Sequence, residues 1–241
     1  MKINGTDTNT AYGVREWNVG WSYADLSNAS EMPDGWITPY LTKTKIGLKT
    51  IKVSVMISGA YRDTIWRAAS NFIAALLNPC EMQFDEFPDR YFYGVIKNAS
   101  HTETCLRRWH KASVELVGFE YGTLQHATYT GTSISITNPG NIPSPIKIRV
   151  AAAADQTQLQ VAGIVRDPFT GTDEPVYFNN LVATVGVTID PEAGTVLNDS
   201  NVNKFESVEM LEFPSLKPGA NTITLNRTGI TTDIWYRPYY V

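Results

Sequence analysis

Residues 62–77, RDTIWRAASNFIAALL, decide the fold class of this chain, because they predict a helix between segments that predict strands. Their apolar residues recur with the 3.6-residue period of an amphipathic helix. Those residues are Ile65, Ala69, Phe72, Ile73, Leu76 and Leu77. Asp63 or Thr64 offers a start signal, and Asn78-Pro79 predicts the end, because proline disfavours helix in the residue before it. A single helix flanked by strands is expected to cover a sheet face or to close a sandwich.

Strands are predicted on both sides of this helix. Residues 49–57 alternate apolar and polar side chains, which is typical of a strand with one buried face. Residues 81–84 and 91–96 predict a hairpin, with its turn between them. Residues 108–119 alternate again and predict a further strand. The first half is therefore predicted to be a β-sandwich or barrel-like domain with one α-helix.

The second half is predicted to be β throughout. The apolar pattern fades over residues 121–132, and we place a domain boundary there, with domains 1–125 and 126–241. Short alternating segments with turn residues between them follow, at 132–137, 145–150, 159–165, 176–178, 185–189, 194–197, 221–225 and 232–237. This spacing is typical of a β-sandwich or jelly roll. The fold class is therefore predicted as mainly β.

Composition excludes several classes of protein. The 241 residues carry a net charge of −4, and the densest basic spot is Arg107-Arg108, so no nucleic-acid binding is predicted. No apolar run approaches the roughly 20 residues that cross a bilayer, so no membrane insertion is predicted. The polar N-terminus lacks the apolar core of a signal peptide, which favours synthesis in a cytoplasm. Cys80 and Cys105 are accordingly expected to be free thiols.

The sequence offers weak candidates for chemistry. An acidic cluster in the predicted hairpin turn contains Asp85, Glu86 and Asp89. Paired carboxylates can hydrolyse glycosides, but acidic residues in turns more often satisfy local N–H groups. The histidines, which are His101, His110 and His126, lack the spacing of metal ligands on one helix or strand. We therefore predict no catalytic residue, no metal site and no cofactor.

Five aromatic residues are the candidates for surface or interface contacts. Trp17, Trp21 and Trp36 lie in the first half, where they could form a subunit interface or the core of a small domain. Trp235 and Tyr239 lie near the C-terminus. Aromatic side chains beside polar groups can stack on sugars, but these two could equally close the sandwich or contact the first domain.

The order of several segments resembles the distal tail proteins of phages with long non-contractile tails, often called Dit. In the first half these are Ile3-Asn4-Gly5, Tyr12-Gly13-Val14, the strand that leads into a helix beginning with Arg62, and Tyr91-Phe92-Tyr93-Gly94-Val95. In the second half they are residues 136–141 (ITNPGN), 145–148 (PIKI), Ile189-Asp190 and 213–223 (FPSLKPGANTI). Residues 43–47 (KTKIG) depart from the resemblance, because many relatives carry a Gly/Arg-rich turn there.

The resemblance implies a structural hub protein of the virion tail tip, made in the cytoplasm of the bacterial host. The first domain would build a homo-hexameric ring, and the second would be a galectin-like or carbohydrate-module-like sandwich that points outward. The ring would join the tail tube protein to a tail-tip lysin or fibre protein, and in some relatives the outward domain holds receptor-binding proteins. A monomeric carbohydrate-binding protein is the alternative. A hydrolase is the third class considered, and the chain is predicted not to be an enzyme.

Overall fold

The structure is a computed structural model that describes residues 1–31, 40–104, 108–167 and 170–241. Within these ranges, the side chains of residues 26, 28–31 and 40–45 are not described. The chain divides into two compact units, Met1–Tyr121 together with Val241, and Gly122–Tyr240. It is mainly β, which confirms the predicted fold class.

The described residues of the first unit form one sheet and two helices. Its elements are β1 Lys2–Ile3, β2 Thr6–Asp7, α1 Thr8–Tyr12, β3 Val14–Glu31, β4 Tyr40–Ser58, α2 Arg62–Ala75, β5 Cys80–Gln83, β6 Arg90–Glu103 and β7 Trp109–Gly122. The strand order in the sheet is β2-β1-β5-β6-β7-β4-β3. The core lies between the sheet and α2, because alternate residues of β4 and β7 are buried together with one face of the helix. The predicted hairpin forms between β5 and β6, where Glu81 pairs with Tyr93.

Helix α2 is shorter than predicted. It begins at Arg62, as expected, but it ends at Ala75 instead of residue 77. Leu76 is the C-cap, and its N–H bonds to the carbonyl of Ile73 in a tighter final turn. Leu76 remains buried, whereas Leu77 is 64% exposed. The inclusion of Leu77 in the buried face was therefore wrong, because the backbone leaves the helical path one residue before it.

The short helix α1 was not predicted. Asp7 caps it by accepting a hydrogen bond from the N–H of Thr10, and Gly13 ends it in the left-handed conformation, at φ 66°. The expectation of a single helix is corrected on this point. A helix of one turn shows no hydrophobic period, so only the cap residues could have indicated it.

The second unit is a β-sandwich. Its strands are β8 Gln125–Tyr129, β9 Ser133–Asn138, β10 Ser144–Ala152, β11 Gln156–Arg166, β12 Asp173–Leu181, β13 Val187–Asp190, β14 Thr195–Asn198, β15 Val208–Glu209, β16 Ser215–Leu216, β17 Gly219–Leu225 and β18 Ile230–Tyr236. Strand β19, Tyr239–Tyr240, also falls within this unit but belongs to neither sheet of the sandwich. A 3₁₀ turn covers Phe205–Ser207. One sheet has the order β14-β13-β10-β18-β8 and the other has β15-β12-β11-β17-β9. Their buried faces share one apolar core.

Strand β8 lies where the sequence predicted only a boundary segment. It pairs along the edge of the first of these sheets, with Ala127 opposite Ile234. Its sequence, QHATY, is short and mostly polar. None of its side chains is fully buried, so it lacks the alternating apolar pattern that would predict a strand. Pairing with β18, and not local hydrophobicity, makes this segment a strand.

Candidate functional site

The outer strand β3 presents two of the three most exposed aromatic side chains among the described residues of the first unit. It stands at the end of the strand order and, among the described residues, pairs with β4 on one side only. Trp17 is 68% exposed and Tyr23 is 84% exposed. Both occupy positions where the register with β4 shifts, Trp17 between Glu16 and Asn18, and Tyr23 between Trp21 and Ala24.

These register shifts explain the exposure. A residue at a bulge has no partner across the ladder, and the local bend of the backbone redirects its side chain. An edge strand also carries unpaired N–H and C=O groups, which can pair with another chain. Aromatic residues are enriched at protein interfaces, so the exposed Trp17 and Tyr23 make this edge a candidate contact surface for a protein partner. We call Trp17, Tyr23 and the free edge of β3 the edge surface.

Trp21, on the same strand, points into the unit. Its ring centroid lies 5.3 Å from that of Phe84 and 5.4 Å from that of Phe87, in edge-to-face geometry. The Lys49 Nζ lies 5.3 Å from its ring. Trp21 is half-buried, and its contacts are those of a core residue. Trp36, the third tryptophan singled out from the sequence, lies outside the described residues.

A buried ion-pair network lies beside Trp21, and sequence reasoning did not find it. The Lys49 ammonium binds the Glu120 carboxylate, and both side chains are almost fully buried. The Arg90 guanidinium binds the other oxygen of Glu120 at 2.7 Å. The three residues come from β4, β7 and β6, so their proximity depends on strand pairing. A buried carboxylate held by two cations stabilises one arrangement of these strands, because removing either charge leaves another unpaired.

Two of the three histidines meet across neighbouring strands. Nε2 of His101 on β6 lies 2.8 Å from Nδ1 of His110 on β7, and Trp66 of α2 stacks on His101 at 4.0 Å. Burial, and then the nearby His110, lower the pKa of His101, although Glu103 opposes this shift. Two imidazoles do not make a metal centre. Among the described residues, no group of three or more His, Cys, Asp or Glu side chains could hold a metal ion.

Asp85, in the acidic hairpin turn, contacts residues near the start of the chain. The Asp85 carboxylate lies 2.6 Å from the amino group of Met1, and its backbone N–H donates to Glu16. Asp85 itself is exposed, so this segment offers no enclosed cleft around a carboxylate pair.

In the described part of the chain, no helix is long and apolar enough to cross a membrane. Cys80 is a buried free thiol, and burial raises its pKa; Cys105 lies outside the described residues.

Trp235 and Tyr239 both lie in the second unit, and only Trp235 lines a cavity there. Trp235 stacks on His126 with ring centroids 4.6 Å apart and an interplanar angle of 4°. Tyr239 Oη donates a long hydrogen bond of 3.5 Å to Glu192. Burial, together with the Glu192 charge, raises the pKa of Tyr239 to about 12. Trp235 and Glu192 line a cavity of about 430 Å³ on the outer face of the sheet that contains β18.

Comparisons with known proteins bear on the fold. No family model matches the sequence, and no curated protein matches it. The structure, however, superposes on the crystal structure of SPP1 Dit (gp 19.1) with a TM-score of 0.76, and the match covers 99% of this chain and 98% of that one. The fold is that of a phage distal tail protein. The sequence identity over this match is 14%.

Two structures of the phage P2 baseplate in its activated conformation also match. The structure with Ca has a TM-score of 0.46 at 10% identity and the structure with Sr has 0.44 at 10%, and each covers 93% of this chain and 90% of that one. SPP1 Dit is itself described as a paradigm of the hub adsorption apparatus in phages that infect Gram-positive bacteria. The resemblance inferred from the order of sequence segments is thus confirmed at the level of the fold.

Proposed function

We propose that this chain is a structural hub protein of a phage tail tip. The observation that supports it best is the superposition on SPP1 Dit over nearly the whole length of both chains, since the protein described by that structure is a hub of the adsorption apparatus. Both units take part in the match, so the likeness does not rest on a sandwich alone. The virion tail tip is the proposed location.

In this proposal, six copies form a closed ring through the first domain, residues 1–125. A cyclic ring needs a heterologous contact, in which one surface of a subunit meets a different surface of the next. The edge surface supplies the first of these, because it combines an unpaired strand edge with Trp17 and Tyr23. The second domain, residues 126–241, would point outward. The proposed partners are the tail tube protein, a tail-tip lysin or fibre protein and a receptor-binding protein.

A non-enzymatic role fits the chemistry of the described residues. The acidic turn is exposed, and the paired histidines bind each other, so neither presents a nucleophile with its base. The alternative function, a monomeric carbohydrate-binding protein, uses the second unit alone. It gives no role to the aromatic side chains on the edge of the first.

Mass photometry and negative-stain microscopy of the full chain test the ring. We expect particles of six times the 26.8 kDa subunit mass, with six-fold symmetry. The double variant Trp17→Ala/Tyr23→Ala should remain folded, because both side chains are exposed, but it should lose the particles. Phe205→Ala, which removes an exposed aromatic side chain from the second unit, is the matched control and should retain them. A wild-type chain that stays monomeric at high concentration would favour the alternative.

A further inference from the structure

Two edge strands of the second unit flank one opening of the sandwich. Strand β8 stands at the end of one strand order and β9 at the end of the other. Among the described residues, neither strand pairs on its outer side. A cavity of about 230 Å³ lies between them, lined in part by Ala127 and Tyr129 of β8 and by Ser135 and Ile136 of β9. The opening therefore combines two unpaired strand edges with access to the space between the sheets.

Both edges lie in a stretch without charge. Residues 121–146 contain no Asp, Glu, Lys or Arg, although charged residues make up 18% of the chain. Proteins commonly protect exposed edges with charged side chains or with bulges, which oppose pairing with another chain. The ladders that join β9 to β17 and β8 to β18 contain no register shift. Neither of these two edges therefore carries the usual protection.

The edges at the other ends of the two strand orders are protected. Strand β15 is only two residues long and carries the Glu209 carboxylate. The far side of β14 is covered by the segment that follows it, because the N–H of Asn198 donates to the carbonyl of Val202. The N–H of Lys204 donates in turn to the carbonyl of Val196. Short length, charge and coverage all prevent edge pairing. The contrast within one sandwich indicates that the open side serves a contact.

The backbone groups on the free side of β9 can be identified. In an antiparallel ladder, every second residue directs its N–H and C=O groups away from the partner strand. The N–H of Leu225 donates to the carbonyl of Thr132, directly before β9, at 2.8 Å. That carbonyl faces β17, so alternation directs the backbone groups of Ser135 and Thr137 to the free side. The Thr137 carbonyl agrees with this, because the Tyr236 hydroxyl reaches it from the other sheet at 3.0 Å.

The cavity between the edges suits a side chain better than a separate ligand. Its volume lies below the roughly 300–1,000 Å³ of small-molecule sites. Buried Ile136 and Ile234 line it, together with Tyr129 and Tyr236, which pack against the sandwich core. Successive side chains of a strand point to opposite faces, so alternate residues of a strand added beside β9 would face this cavity.

We propose that an extended segment of a partner protein adds to this sandwich as a strand beside β9. Its backbone pairs with Ser135 and Thr137, and one of its apolar side chains enters the cavity. The paired residues of the segment are uncharged, because a charge would lose hydration against an edge that offers no counter-charge. In this mode of binding, main-chain hydrogen bonds supply affinity and the pocket supplies specificity.

This inference does not rest on the hexameric ring. The edge belongs to the second unit, whereas the ring is proposed to form through the first domain. The variant Trp17→Ala/Tyr23→Ala should therefore bind the segment as the wild type does. A failure of the ring and a failure of strand addition are thus separate results.

Peptide selection on the full chain tests the proposal. Display of random peptides of about ten residues, the upper length of a typical strand, supplies the probes, and fluorescence anisotropy measures their affinity. We expect uncharged sequences with alternating apolar residues. N-methylation of every second amide should abolish binding in one frame and have little effect in the other, because only one edge of an added strand pairs with β9. Recovery of no binding peptide, or binding that tolerates methylation in both frames, would overturn the proposal.

Variants of Ser135 locate the binding. Ser135→Pro removes an N–H on the free side of an edge strand, so the chain should fold while peptide affinity falls about tenfold or more. Ser135→Ala keeps the backbone N–H and is the matched control, which should bind as the wild type does. Ser135 is exposed, so Ser135→Lys adds an edge charge and decides the matter should Ser135→Pro fail to fold.

Three outcomes of this series would contradict strand addition beside β9. Unchanged affinity in a folded Ser135→Pro or Ser135→Lys variant would place the peptide elsewhere. A loss of affinity in Ser135→Ala as large as that in Ser135→Pro would replace backbone pairing with recognition of the side chain. Self-association of the full chain that Ser135→Lys abolishes would assign the edge to a second copy and overturn the assigned partner.

Discussion

Lys49 and Glu120 form an ion pair inside the first unit although they are 71 residues apart. Lys49 lies on β4 and Glu120 on β7, and Arg90 from β6 completes the network. Glu120→Gln should lower the free energy of unfolding by about 3–5 kcal/mol, because it leaves the buried Lys49 without its counter-charge. Chemical denaturation of wild type and variant measures this. Glu115→Gln, which breaks the exposed pair with Lys97, is the control and should cost less than about 1 kcal/mol. Equal losses of stability in the two variants would contradict the conclusion that burial makes the Lys49–Glu120 pair important.

The end of α2 separates two adjacent leucines with opposite environments. Leu76 is 1% exposed and Leu77 is 64% exposed. Leu76→Ala should cost about 2–5 kcal/mol of stability through lost packing and a cavity. Leu77→Ala should change stability by no more than about 0.5 kcal/mol. Thermal or urea unfolding of the two variants measures these changes in stability. A large loss of stability in Leu77→Ala would mean that this residue is covered in solution, for example in an assembled ring.

The His101–His110 pair should make the stability of the first unit depend on pH. The folded-state pKa of His101 lies below its ordinary value of 6.5, so the unfolded chain binds this proton more readily. The contribution of His101 is therefore fully present above about pH 6.5 and is lost as the pH falls through the folded pKa. His101→Phe should flatten the stability profile between about pH 7 and pH 5. Urea titrations at several pH values test this, and an unchanged slope in the variant would refute it.

A glycine sets the spacing between β6 and β7. A Cβ at Gly118 would overlap the Tyr93 carbonyl oxygen and lie 2.6 Å from the Cα of Gly94. Gly118→Ala should therefore destabilise the chain by at least about 2 kcal/mol, towards the upper end of overpacking costs. Gly20→Ala, in β3 of the same sheet, meets nothing closer than 3.6 Å and is the control. It should have little effect, and comparable melting temperatures for the two variants would count against the close strand approach.

Part of this fold could be predicted from the sequence because the signal is local. Alternation over residues 49–57 and the helical period from Ile65 onward both report burial of one face, and the structure buries those faces. The order of turns and strands also indicated the distal tail protein fold, which the superposition confirms. Strand β8 and helix α1 escaped prediction. Strand β8 forms because it pairs with β18, and helix α1, at five residues, is too short to show a helical hydrophobic period.

The sequence by itself determined the mainly β class, the position of α2 and which aromatic residues are candidates for surface or interface contacts. Only the tertiary structure decided which way those aromatic side chains point. Trp17 and Trp21 are four residues apart on one strand, yet register shifts leave Trp17 in solvent and send Trp21 against Phe84. The pairing of Lys49 with Glu120 was likewise invisible in the sequence. Side-chain periodicity records burial along one strand, whereas bulges and cross-strand neighbours depend on which strands pair and in what register.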